Sequence, residues 1–163
     1  MSDMQLVVFE LDGNEYAIDA LSVNGILRAK KFEIKTIPGL PDYITGAIQL
    51  RGNVNYIFNL KKKLKIKNQD IALESKFIMI NIEDQVVGWI VDEVTDIIKF
   101  STDNIEMPPS FVKNERISYL KGIGKIDDRI IVLLNPDNIL NVEDLMDINE
   151  VTAAIEDTKD ALH

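Results

Sequence analysis

Side chains able to do chemistry are few in this 163-residue sequence, and their spacing argues against most reactions. Three adjacent acid pairs, Glu83-Asp84, Asp92-Glu93 and Asp127-Asp128, have the residue types of acid–base catalysis. That chemistry needs carboxylates held in environments that separate their pKa values. Two of the pairs fall at expected turns, where acids are ordinary turn formers. The acids also lack the spacing of a calcium loop. Gly122-Ile123-Gly124 lacks the third glycine of a dinucleotide cradle and leads toward a strand. No P-loop occurs, and no serine stands in a G-x-S-x-G elbow. There is no cysteine, and the one histidine is His163, so thiolate nucleophiles, disulfides and thiolate zinc sites are excluded. No catalytic residue, cofactor or metal site is expected.

Charge narrows the field further. With 27 acids against 18 bases the net charge is -9 and the pI about 4.6, a poor balance for binding nucleic acid. Trp89, Phe58 and Tyr56 lie in strongly apolar runs, where core packing accounts for them better than base stacking. Five lysines, Lys61, Lys62, Lys63, Lys65 and Lys67, crowd one short stretch. Two readings stand for this cluster: a solvated loop, or a contact with an acidic partner. After Asn141 there are seven acids and one lysine, and the polar tail 151–163 reads either as a docked helix or as a mobile tail. No stretch has the roughly 18 apolar residues needed to span a bilayer. Met1-Ser2-Asp3-Met4 opens no signal segment, so a cytoplasmic location without membrane insertion is expected.

The elements that must carry these residues are short β-type runs broken by turns. Gln5–Leu11 and Glu15–Ile18 flank Asp12-Gly13-Asn14. Phe77–Ile82 and Val86–Val91 flank an acidic turn at Glu83-Asp84, and Leu120–Ile126 and Arg129–Leu134 flank Asp127-Asp128. Each pair predicts a hairpin. Several runs are continuously apolar rather than alternating, which predicts strands covered on both faces or closed into tight barrels. Two strand groups, one on either side of the lysine loop, are expected. Asp19–Val23 predicts one helical turn, and Asn135-Pro136 starts a short C-terminal helix with Ile139, Leu140, Leu145 and Met146 on one face. The residues display no internal repeat. A rigid, mainly β scaffold without reactive groups points to work through protein-binding surfaces.

The segment from Ile37 to Gly52, IPGLPDYITGAIQLRG, resembles the pattern P-x-x-P-x-(Y/F)-(I/V)-x-G-(V/A)-(I/V)-(N/Q)-L-R-G of the CheW family of chemotaxis coupling proteins. Phe9-Glu10-Leu11 through Tyr16-Ala17-Ile18 is similar to that family's opening hairpin. Val87-Gly88-Trp89-Ile90-Val91-Asp92-Glu93-Val94 is similar to its V-G-x-x-V-D-x-V strand. Leu120–Gly124 and Val132–Asn135, leading to Ile139-Leu140, match its closing elements, so the resemblance spans roughly Leu6 to Leu140.

This resemblance implies one domain over 1–150, built of two five-stranded, SH3-like β-barrel subdomains side by side. The first covers about 14–82, and the second about 83–145 with strand 5–12 crossing over to complete it. It implies a non-enzymatic adaptor between the cytoplasmic tip of methyl-accepting chemoreceptors and the regulatory domain of the histidine kinase CheA. A decoy paralogue, or one serving a non-flagellar chemosensory pathway, is the alternative. The partner-binding residues carried over are Leu21, Val23, Gly25, Ile26, Gly46, Arg51, Gly52 and Val87. Arg51 offers a flat, multi-donor head to an interface; bracing a loop against a carboxylate is its other reading. Leu21, Val23 and Ile26 are contacts or ordinary core. Gly46 and Gly52 suit a bend or a close backbone approach. The chain departs from the family at Gly25, where glutamate is common, and at Tyr56, Asn59 and Lys61 in place of proline, aspartate and arginine.

Overall fold

A computed structural model describes residues 3–107 and 119–139. Eleven strands are described: β1 (Asp3–Leu11), β2 (Asn14–Asp19), β3 (Val23–Arg28), β4 (Ile44–Leu50), β5 (Asn53–Asn59), β6 (Lys76–Ile82), β7 (Gln85–Val91), β8 (Glu93–Ser101), β9 (Ile105–Glu106), β10 (Leu120–Ile126) and β11 (Arg129–Leu134). Two short helices, α1 (Leu60–Lys63) and α2 (Pro136–Ile139), follow β5 and β11. The rest of the expected C-terminal helix, with Leu140, Leu145, Met146 and the tail 151–163, lies outside the described residues.

All three predicted hairpins form, and so does a fourth between β4 and β5. Three of their two-residue turns rely on left-handed backbone at both positions: Asp12-Gly13 (φ 50° and 81°), Arg51-Gly52 (53° and 81°) and Glu83-Asp84 (43° and 66°); at Asp127-Asp128 only Asp127 (51°) has positive φ. Positive φ at both positions is the type I′ geometry, whose twist matches the flanking strands. The predicted turn after Asp19 is a 3-10 turn, Ala20–Ser22, capped by the Asp19 carboxylate, which accepts from Leu21 N at 3.0 Å.

Two sheets result, in the orders β3-β6-β7-β5-β4 and β8-β1-β2-β11-β10-β9. The mainly β expectation is met, but the partition of strands differs from the one expected. β2 stays with β1 in the second sheet, and β7 stays with β6 in the first, because a hairpin's strands pair with each other before anything else. Lobe one is therefore the unbroken segment 23–91, and lobe two joins β1 and β2 to β8–β11. The lysine stretch does not divide the strand groups; it lies inside lobe one.

The lobes repeat one another. Ile44↔Phe58 and Leu50↔Asn53 in β4–β5 become Leu120↔Leu134 and Ile126↔Arg129 in β10–β11, displaced by 76 residues, with the bulge in the same place. β6–β7 repeats β1–β2 at a displacement of 71: Leu6↔Asp19 answers to Phe77↔Ile90. The bulged pairing of β3 with β6 (Val23↔Ile80, Gly25↔Met79) repeats as β8 with β1 (Val94↔Phe9, Asp96↔Val8). In each lobe the chain leaves an edge strand, β3 or β8, makes a 3-10 turn and pairs at the opposite edge. Lys35 pairs with Ala47 in lobe one, and β9 pairs with β10 in lobe two.

Continuously apolar strands are indeed covered twice. Leu6 and Val8 of β1 face the interior of lobe two with Ile131 and Leu133, while Val7, Phe9 and Leu11 face the seam between lobes. In β6, Phe77 and Met79 fill lobe one and Ile78, Ile80 and Ile82 enter the same seam. Trp89 sits fully buried there, edge-on to Phe9 with ring centroids 6.4 Å apart.

Lobe two has one thin join: β2 and β11 run parallel and share only two register pairs. Beside them Arg129 grips Glu15 with two hydrogen bonds, one from Nε at 3.0 Å. The arginine hydrogen bond holds the Glu15 carboxyl below its ordinary value of 4.5, outweighing partial burial, which acts the other way. A lowered carboxyl stabilises the fold above its unfolded pKa, and the effect disappears as pH falls through the folded value. Glu15→Gln should therefore cost up to about 1 kcal/mol at neutral pH for such a partly exposed pair. In urea melts across acidic pH, wild type and variant should converge once both are below the carboxylate range.

Candidate protein-interaction surfaces

Strand pairing brings one group of the expected residues to a common end of lobe one. Val23, the Glu83-Asp84 turn and the Arg51-Gly52 turn share that end, with β3 and β4 at opposite edges of the sheet. Leu21 projects from the 3-10 turn and is 89% exposed. Val23 is half-buried against the seam, and Ile26, 38% exposed, faces outward from β3. Gly25 follows the β3 bulge at Asn24, and a Cβ there would meet nothing within 4 Å. The departure from glutamate leaves open space, not a packed substitute.

Arg51 is exposed at the tip of a rigid I′ turn. Among the described residues no carboxylate pairs with it, so the bracing role has no support in these contacts. Gly52 supplies the second left-handed position of that turn. Two expected contacts sit elsewhere. Val87 is fully buried in the seam, where β7 packs against lobe two, and its side chain presents no surface. Gly46 is buried on β4, where a Cβ would run into the Lys35 carbonyl, 2.8 Å from its carbon; it serves lobe closure.

The lysine cluster also divides. Lys61 is only 3% exposed: its ammonium donates to Asp92 Oδ1 at 2.8 Å and to the Asp70 carbonyl at 2.6 Å. Asp92 Oδ2 in turn accepts from Asp12 N at 2.7 Å, so one carboxylate ties α1 of lobe one to the β1–β2 turn of lobe two. Asn59 caps α1 by accepting from Lys62 N at 3.3 Å and donates to the Gln69 carbonyl at 3.0 Å. Aspartate could accept but not donate, so asparagine fits both contacts. This polar network went unforeseen, and its signal was the position of Lys61 directly after a buried strand. Further apolar side chains lie exposed at Val54, Ile97 and Ile130. By the repeat, Ile97 is the counterpart of Ile26, and Ile130 of Val54.

Among the described residues no group of His, Cys, Asp and Glu could hold a metal, and no helix is long and apolar enough to cross a membrane. What the geometry offers is fixed surface: apolar side chains on β3 and an exposed arginine on a stiff turn, without a carboxylate partner among the described residues. The fold and its surfaces define a mainly β module of two SH3-like lobes. The model of the CheW-like domain matches residues 5–144, and the chain belongs to that family. It is similar to the chemotaxis protein CheW of Bacillus subtilis (34% identical over 140 residues, 85% of this chain and 88% of that one). The chemotaxis protein CheW of Helicobacter pylori is 29% identical over 138 residues, 84% of this chain and 81% of the other. The crystal structure of the scaffolding protein TtCheW from Thermoanaerobacter tengcongensis superposes with a TM-score of 0.79 at 30% identity, covering 88% of this chain and 96% of that one.

Proposed function

We propose that the chain is a non-enzymatic adaptor in chemotaxis signalling, working in the cytoplasm at receptor arrays. In this reading it couples the tip of a chemoreceptor to the regulatory domain of the histidine kinase CheA. Family membership supports the adaptor role, and so does the similarity to a scaffolding protein. The observation that carries the reading is Arg51, held outward on a left-handed turn without a carboxylate partner among the described residues. An exposed arginine on a rigid turn presents several donors at a fixed place, well suited to a partner's carboxylates or carbonyls. Leu21, Val23 and Ile26 supply apolar contact area at or near the same end of the lobe.

Co-sedimentation with receptor-containing membranes and kinase tests this. A ternary complex is expected, and Arg51→Ala should keep the wild-type melting temperature while weakening kinase control about tenfold or more, as loss of an interface anchor does. Absence of any ternary complex with cognate partners overturns the coupling role. Binding to one partner alone would instead make the protein a decoy.

A further inference from the structure

Charge is divided sharply between lobe one and the rest of the chain. Residues 23–91 hold eleven Lys and Arg against six Asp and Glu, a balance of +5, while the rest of the chain holds seven against twenty-one, a balance of -14. A cationic lobe thus stands on a strongly anionic protein. Much of its charge lies in the β5–β6 connection, at the end of β4 and β5 remote from Arg51. Seven residues of strand, about 20 Å, separate the two ends.

This connection is held in shape. Leu64 N donates to Leu60 O and Ile66 N to Lys61 O, each at 2.9 Å, while the buried Lys61 and the Asn59 amide fix Asp70 and Gln69. Lys62, Lys65 and Lys67 are displayed from that frame with no carboxylate partner among the described residues. Lys63 lies over the Tyr43 ring, 4.2 Å from its centroid; burial first, and then the Lys65 charge, hold its ammonium below the usual lysine value. Crowded ammonium groups on a rigid frame gain by meeting carboxylates.

Beside them is a cleft of about 630 Å³ between this connection and the Thr36–Thr45 loop. Ile37, Leu40 and Ile71 give it apolar wall, and Lys62 stands at its edge. Asp42 and Asp70 also line it and disfavour an anion inside, while the wall of Ile37, Leu40 and Ile71 offers contact to an aliphatic side chain. We propose that the cleft and its lysine rim form a docking site for an acidic segment of a partner protein. One aliphatic residue of that segment enters the cleft, and its carboxylates run along Lys62, Lys65 and Lys67. The complementarity is of charge at the rim and of apolar contact along the Ile37, Leu40 and Ile71 wall.

Fluorescence anisotropy on the full chain tests this with a labelled peptide of alternating glutamate and leucine. Binding is expected to weaken with added salt, and a K62Q/K65Q/K67Q variant that melts like wild type should bind about tenfold more weakly. Ile71→Ser should weaken binding about fivefold through the cleft. Arg51→Ala should bind the peptide normally, which separates this site from the coupling surface. Equal binding by the triple variant, by a glutamine-for-glutamate peptide, or of polyglutamate overturns the proposal. Much tighter binding by a chain ending at Asn141 would mean that this protein's own acidic segment occupies the site, and overturns its assignment to a partner.

Discussion

Gly46→Ala is expected to cost about 3 kcal/mol or more, read as a lower urea midpoint of the fluorescence of Trp89, the only tryptophan. The added methyl would meet the Lys35 carbonyl, and backbone cannot swing aside as a side chain can. Relief requires the closing segment to lift from β4, which breaks two 2.9 Å hydrogen bonds, Lys35 N to Ala47 O and Ala47 N to Lys35 O. Ile34 and Phe32, which pack on the core of lobe one, would be dragged with it. Against a total stability of roughly 5–15 kcal/mol the loss is severe. The repeat supplies a graded control. At Gly122 a Cβ would meet the Ile105 side chain at 2.6 Å and the Glu106 carbonyl at 3.1 Å, and a side chain can yield, so Gly122→Ala should cost less. Gly25→Ala, with open space around it, should be close to neutral. Equal effects at all three positions would refute the closure argument.

Asp92→Ala is the second large effect, expected on the order of 3–5 kcal/mol because it strands the buried Lys61 ammonium. It also removes the acceptor of Asp12 N, loosening the tie between lobes. Lys61→Met should cost much less, since Asp92 is 27% exposed and water can replace the lost ammonium. The double variant should then be more stable than Asp92→Ala alone, because the uncompensated charge is gone. Denaturation of the four proteins forms a double-mutant cycle. Strict additivity would show that the pair is no more than two independent contacts.

Local features were readable in the residues wherever turn chemistry is local. Asp12-Gly13 and Glu83-Asp84 announced their hairpins, Asp19 its 3-10 turn, and the unbroken apolar runs of β1, β6 and β7 their double burial. The partition into lobes was not readable, because pairing of Leu6 with Ile98 across some ninety residues leaves no local trace. The repeat escaped for a related reason. Its lobes share register and closure, yet few positions keep the same residue, among them Gly46 and Gly122, Asn59 and Asn135, and Ile26 and Ile97, while Ile48 has Gly124 as its counterpart. Close approach of the closing segment constrains the glycine pair, and packing permits exchange at most other positions. Lys61 was hidden in a charged run whose other members are half-buried or exposed. In the candidate site, Leu21 and Arg51 lie where surface residues should, whereas Val87 and Gly46 are claimed by packing.

Splitting lobe two across the sequence has a consequence for biosynthesis. β1 and β2 leave the ribosome first, but their sheet partners β8, β10 and β11 are among the last strands made. Lobe one is complete once β7 emerges, and meanwhile the early hairpin meets a growing sheet whose β6–β7 slot has its own register. Mispairing there is a hazard of the repeated pairing geometry. Gly88 answers it: a Cβ at that position would strike Ile57 Cδ1, and the early hairpin carries Ala17 at the equivalent site. Because a side-chain end can yield, that one methyl group makes the wrong hairpin a poorer fit without barring it.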